Sequence, residues 1–201
     1  MSLHLFLSLL GFAFVSSMTP GPNNTMLLAS GVNFGFSRTW PHMMGVTVGF
    51  TIMIVAVALG VGRVFTAFPA LFAVLRIASI GYLLWLAWRI ATAGTSDPML
   101  KDKARPMTFF EAALFQWVNP KGWMVALSVA ANYVSPENLW SNIAVLSAVF
   151  TTVSLISTST WAFFGTSLRP LLADERKVRI FNVAMAVALV ASLWPIVLEM
   201  I

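Results

Sequence analysis

The chain has no cysteine, two histidines and few charges, and each scarcity removes a class of function. Without cysteine there is no thiol redox chemistry, no iron–sulfur cluster and no disulfide. His4 and His42 stand apart from any acid, so neither a catalytic triad nor a metal site can be drawn. No Walker A loop, Gly-rich dinucleotide loop or zinc-ligand spacing occurs, which leaves a hydrolase or an ATP-driven pump unsupported. No cofactor and no metal are expected. Charged residues make up 9% of the 201, whereas a soluble domain carries roughly a quarter.

What is abundant is apolar: 59% of the chain, with a mean hydropathy of +0.85. An all-α polytopic membrane protein follows. The net charge of +5 does not imply nucleic acid, because the basic residues gather in short loops between apolar runs. Six apolar stretches run over about 3–33, 41–62, 69–91, 108–134, 140–166 and 179–199, each near or above the roughly 20 residues that span a bilayer. The N-terminal stretch has no Lys or Arg and runs into Pro-Gly-Pro rather than a cleavage motif, so it reads as a retained span.

Two stretches are interrupted, the first by Pro20, Gly21, Pro22 and Asn23, the fourth by Asn119, Pro120, Lys121 and Gly122. Proline removes an amide donor and clashes with the preceding turn, and glycine opens further dihedrals. Broken backbone inside a membrane is tolerated where it is buried in protein or lines a cavity. Residues 24–34 read either as the rest of span one or as a short re-entrant helix.

Loop charge gives the orientation. Arg89, Lys101, Lys103 and Arg105 follow span three, and Arg169, Arg176, Lys177 and Arg179 follow span five. The loop after span four holds Glu137 and no base. Positive-inside puts the basic loops in the cytoplasm and both termini outside. Arg38 agrees and Arg63 does not. Three spans per half make the halves antiparallel, repeat one at about 1–95 and repeat two at about 106–201 within a single transmembrane domain. Both breaks then approach the midplane from opposite sides, as in inverted-repeat transporters. Residues 22–27 align with 120–125, sharing the Pro and the Met.

Lys121 is costly at depth unless it faces water or an anion, which marks it as functional. It can pair with a carboxylate or cycle a proton, with Glu111 the other acid–base candidate. Asn119 opens the second break with Gln116 three residues before it, and Asn23 closes the first with Asn24 next to it. Gly45 and Gly49 form a GxxxG spacing that brings helices close, read first as packing and second as dimerisation. The hydroxyls Thr151, Thr152, Ser154, Ser157, Thr158, Ser159 and Thr160 either bond their own backbone or line a polar path.

Met18-Thr19-Pro20-Gly21-Pro22-Asn23, Gly45 and Gly49, Gly81 to Arg89 and Asn119-Pro120-Lys121 together resemble the LysE/RhtB family of bacterial amino-acid exporters. The likeness covers essentially the whole chain. Its nearest resemblance is to exporters of cysteine and O-acetylserine, or of homoserine and threonine. The resemblance implies proton-driven efflux across the inner membrane. It places substrate binding at Pro20, Gly21, Pro22, Asn23, Asn119, Pro120 and Lys121, to which the residues themselves add Asn24 and Gln116 as substrate-binding candidates. A neutral Asn23 and few intramembrane acids argue for a neutral substrate. The alternative is a membrane scaffold that packs through Gly45 and Gly49. An intramembrane enzyme is disfavoured, since catalytic His, Asp and Glu clusters are missing.

Overall fold

A computed structural model describes residues 1–93, 105–172 and 174–194, and within them every regular element is helical. The helices are α1 (Leu3–Met18), α2 (Pro22–Phe34), α3 (Phe36–Ala58), α4 (Arg63–Ala67) and α5 (Pro69–Thr92). After residue 104 come α6 (Phe109–Phe115), a 3-10 turn (Gln116–Val118), α7 (Pro120–Tyr133), α8 (Leu139–Leu168) and α9 (Glu175–Ala191).

Local chemistry sets the ends. Thr108 and Glu111 form a capping box at the start of α6. Asp174 caps α9 through the Arg176 amide. Gly35, at φ 83°, is the single residue joining α2 to α3, a left-handed conformation that suits glycine. Gly60, at φ 107°, does the same after α3.

Helices over Phe36–Ala58, Ala73–Thr92 and Pro136–Leu172 are long and apolar enough to cross a membrane. Helices α1 and α2 pass that test together, bent by 53° at the first break. The structure is therefore all-helical and fits a polytopic membrane protein, with fewer uninterrupted long helices than the six apolar stretches suggested. Proline is the reason in the fourth stretch, where Pro120 stops one helix and starts another. In the sixth, α9 covers 17 residues, and positions 195–199 lie outside the described residues. So do Lys101 and Lys103.

Helix α3 packs on α8, and α5 on α9. Around them α2 lies on α8 as α7 lies on α3, and α1 meets α8 as α6 meets α3. Glycines make the tightest seams. A Cβ on Gly165 would strike the Leu28 carbonyl of α2, and one on Gly31 would strike the Ala162 carbonyl of α8. Gly45 and Gly49 likewise press against Phe109, Ala112 and Ala113 of α6, so that face is filled from within the chain. Leu9, Met53, Ile54, Trp123, Leu146 and Phe150 form the main core beneath the breaks. The outer surface is apolar as well: Leu3, Val74, Ile77, Phe163, Ile180 and Val187 all point outward, a face suited to hydrocarbon rather than water.

Candidate functional site

The two breaks are built alike. Gly21 is extended (φ −177°, ψ −178°) and Pro22 is the first residue of α2. Asn119 is extended (φ −87°, ψ 106°) and Pro120 is the first residue of α7. A residue before proline is pushed out of the helical region, and proline is pre-set for the first helical position. No side chain caps either helix. The early amides of Asn23, Asn24, Lys121 and Gly122 are therefore left without a side-chain acceptor, at the positive ends of two helix dipoles.

The residue after each proline reaches across to the other break. Asn23 Nδ2 donates to Gln116 Oε1 at 2.8 Å, and Gln116 Nε2 donates back to Asn23 Oδ1 at 3.1 Å. Lys121 Nζ donates to the Thr19 carbonyl at 2.8 Å. Asn24 Nδ2 donates to the carbonyls of Ser17 (2.7 Å) and Thr19 (2.9 Å), and Ser157 Oγ donates to Ser17 as well (2.7 Å). Carbonyls freed at the first break are thus capped by side chains. Leaving them bare in a buried place costs free energy comparable to a lost hydrogen bond.

Between the breaks lies a cavity of about 50 Å³, lined from α2 by Pro22, Asn23 and Asn24 and from the second break by Asn119, Lys121 and Gly122. Its remaining walls include Val46 and Phe50 of α3 and Ser154, Ser157 and Thr158 of α8. That space suits a water or two, at about 30 Å³ of liquid volume each. Several groups in it are unspent. Asn119 Oδ1 is buried with no hydrogen-bond partner. Lys121 Nζ has three N–H donors and spends one of them on the Thr19 carbonyl. Both amide hydrogens of Asn24 are used, which leaves its Oδ1 as an acceptor. A cation and oriented amides beside the free carboxamide oxygens of Asn119 and Asn24 can together hold a small solute bearing both charges.

Gly21, Pro22, Asn23, Asn24, Asn119 and Lys121 of the expected set line this cavity, and Gln116 sits fully buried behind Asn23. Pro20 is exposed, and neither it nor Pro120 is among the lining residues. Glu111 also lies outside the lining: it closes the capping box and pairs with Arg105 through 2.5 and 2.6 Å contacts. That hydrogen bond holds the Arg105 guanidinium above its ordinary range. Ser16, Ser17, Val46 and Phe50 were not anticipated from sequence. Ser154, Ser157 and Thr158 were legible in part, because their i, i+3, i+4 spacing puts three hydroxyls on one helix face. Elsewhere in that run, Thr160 bonds its own backbone at Ile156.

The family model of the LysE type translocators matches residues 14–192, a stretch that includes both breaks. The cysteine/O-acetylserine efflux proteins of Escherichia coli (strain K12), Shigella sonnei (strain Ss046) and Shigella flexneri are each 28% identical to the chain over 181 residues. Each alignment covers 89% of this chain and 90% of the relative. No solved structure matches. The chain belongs to the LysE type translocator family and is a transport protein rather than an enzyme.

Proposed function

We propose that the protein exports small neutral amino acids or their derivatives across the bacterial inner membrane. Cysteine/O-acetylserine efflux proteins among its relatives support the substrate class. The observation that carries the reading is Asn119 Oδ1, a buried acceptor without a partner, in the same cavity as the Lys121 ammonium. An orphaned acceptor in a buried site costs roughly 1–3 kcal/mol, which a bound ammonium would recover. In this reading the substrate carboxylate lies between Lys121 and the uncapped amides of α2 and α7, and its ammonium meets Asn119 Oδ1 and Asn24 Oδ1. The lining holds one Lys and no acid among the described residues, which favours a zwitterion over a cationic amino acid.

The helix pairings support two inverted repeats, about 1–95 and 106–201. Exchanging α1, α2, α3 and α5 for α6, α7, α8 and α9 keeps α3 on α8 and α5 on α9 and carries α1 and α2 on α8 into α6 and α7 on α3, while the further packing of α2 on α3 and α9 has no matching counterpart among the described residues. The crossed bonds obey the same exchange, since the residue after each N1 proline reaches the helix end preceding the other proline. A cavity of about 50 Å³ is then a closed state. Transport requires the repeats to rock apart on one side and then the other, parting the Asn23–Gln116 bonds. Arg38, Arg89, Arg105 and Arg169 mark the cytoplasmic end, with both termini periplasmic. Proton coupling belongs to Lys121, which faces the cavity, rather than to Glu111, which is engaged with Arg105.

Counterflow in proteoliposomes with labelled O-acetylserine, cysteine, homoserine, threonine and lysine tests this. Flux of a neutral member, no flux of lysine, and loss of flux in Lys121→Ala and Asn119→Ala at normal insertion are expected. Undiminished flux in both variants would remove the site.

A further inference from the structure

A second and larger cavity, about 250 Å³, lies at the other end of α2, where α2, α3, α5 and residues 105–107 meet. Phe34 in its wall carries the Arg38 guanidinium 5.6 Å from its ring centroid. At the neighbouring α2–α3 junction, a Cβ on Gly35 would stand 2.8 Å from Arg169 Nη1. This is the basic end of the fold. Asn24, in the small cavity, and Ser30, in the large one, are six residues apart on α2, or about 9 Å along its axis.

A count of hydrogens separates structural groups from free ones. Asn33 and Asn182 exchange amide hydrogen bonds at 2.8 and 3.0 Å, and their remaining hydrogens go to the carbonyls of Ala29 and Ala93. That pair is a spent clamp among α2, α5 and α9. Arg105 is neutralised by Glu111. Ser30 and Thr39 share a 2.8 Å contact, and Thr39 donates to the Gly35 carbonyl, so Ser30 is the donor in it and keeps its lone pairs.

Two groups remain open. His42 is 1% exposed, lines the cavity, and neither ring nitrogen has a hydrogen-bond partner. Arg89 stacks over Trp85 at 5.1 Å, and its guanidinium has no hydrogen-bond acceptor among the described residues. The intervening wall, Met26, Leu86 and Ile90, is apolar. A site with a cation at one edge, an acceptor nitrogen and hydroxyl lone pairs inside and an apolar wall between them matches a compact zwitterion with a short side chain.

We propose that this cavity is a second solute site, a loading pocket that holds an amino acid by its carboxylate at Arg89 and its ammonium at His42 and Ser30. It rests on the amino-acid reading above. From there the solute passes along α2 to the cavity between the breaks when the repeats open.

The absence of cysteine makes a direct test available. Met107 lines the pocket, and Met107→Cys would be the sole target of a methanethiosulfonate reagent in reconstituted full-length protein. The probes are O-acetylserine, cysteine sulfinate as an anionic control, homoserine and threonine. A probe that the parent transports should slow labelling, and the protection should survive Lys121→Ala, which silences the other site. Arg89→Gln and His42→Ala should each shift the protecting concentration upward by about tenfold to a hundredfold. Arg89 lies at a half-exposed helix end, so its variant keeps the test intact if His42→Ala fails to fold. Protection lost with Lys121→Ala, protection indifferent to Arg89→Gln, or protection by phosphatidylglycerol in place of amino acid would each overturn the loading pocket alone. Absence of flux for every probe in the parent would instead bring down the exporter reading, and the pocket with it.

Discussion

Gln116 is fully buried, and its carboxamide must find partners inside the protein. It spends one hydrogen on the Ala112 carbonyl of its own helix and the other on Asn23, which returns the bond. Asn23→Ala therefore strands the Gln116 oxygen and one hydrogen, at a cost of roughly 1–3 kcal/mol. Thermal unfolding in detergent should show a lowered midpoint, and Asn23→Ala with Gln116→Leu should recover part of the loss. A midpoint equal to the parent's would mean that water replaces the bond. Gly21 bears on Lys121 in a different way. A Cβ there would come within 2.9 Å of Lys121 Cδ and 3.2 Å of Nζ. A flexible side chain can retreat, so Gly21→Ala should leave stability near the parent's while displacing the ammonium, read as reduced counterflow at normal expression.

At the scale of elements, the seam between α2 and α8 has no such give. Gly31 and Gly165 each face a backbone carbonyl of the opposite helix, and backbone cannot step aside. Gly165→Leu should therefore destabilise strongly, beyond the roughly 1–3 kcal/mol of ordinary overpacking. Gly11 is the control: nothing lies within 4 Å of a Cβ there, so Gly11→Ala should stabilise α1 by about 0.5–1 kcal/mol. Unfolding midpoints of the two variants should move in opposite directions. The same reasoning speaks against the scaffold alternative, because a partner helix at Gly45 and Gly49 would have to displace α6.

Legibility from sequence divides along physical lines. Both breaks could be read, because proline and glycine act locally and leave no choice to the helix. Asn23, Asn119 and Lys121 could be read as polar groups beside those breaks. The pairing of Asn23 with Gln116 could not, since it spans 93 positions and depends on how the halves fold together. Nor could the unpartnered state of Asn119 or His42, which is a property of everything around them. Glu111 stood out in the sequence as the best-placed acid near a span; its engagement with Arg105 and the Thr108 cap, six and three residues earlier, is seen in the structure.

For the whole molecule, the polar contacts between α3 and α8 mark where the halves meet. Thr51 Oγ1 and Thr151 Oγ1 are 2.9 Å apart. Thr51→Cys with Thr151→Cys, in a chain otherwise free of cysteine, should oxidise to a single cross-link. If the repeats rock about this contact, oxidation should stop counterflow and reduction should restore it. Flux that persists in the oxidised protein would place the moving boundary elsewhere.

The bonds between the breaks have an electrical consequence. Asn23 and Gln116 are carboxamides, so parting and rejoining them moves no net charge through the bilayer. An ion pair in the same place would make opening depend on membrane potential, at about 2.3 kcal/mol per elementary charge per 100 mV. If these bonds part in the transport cycle as proposed, the gate is blind to voltage, and Lys121 and the transported solute set how far the cycle responds to the cell's electrical state.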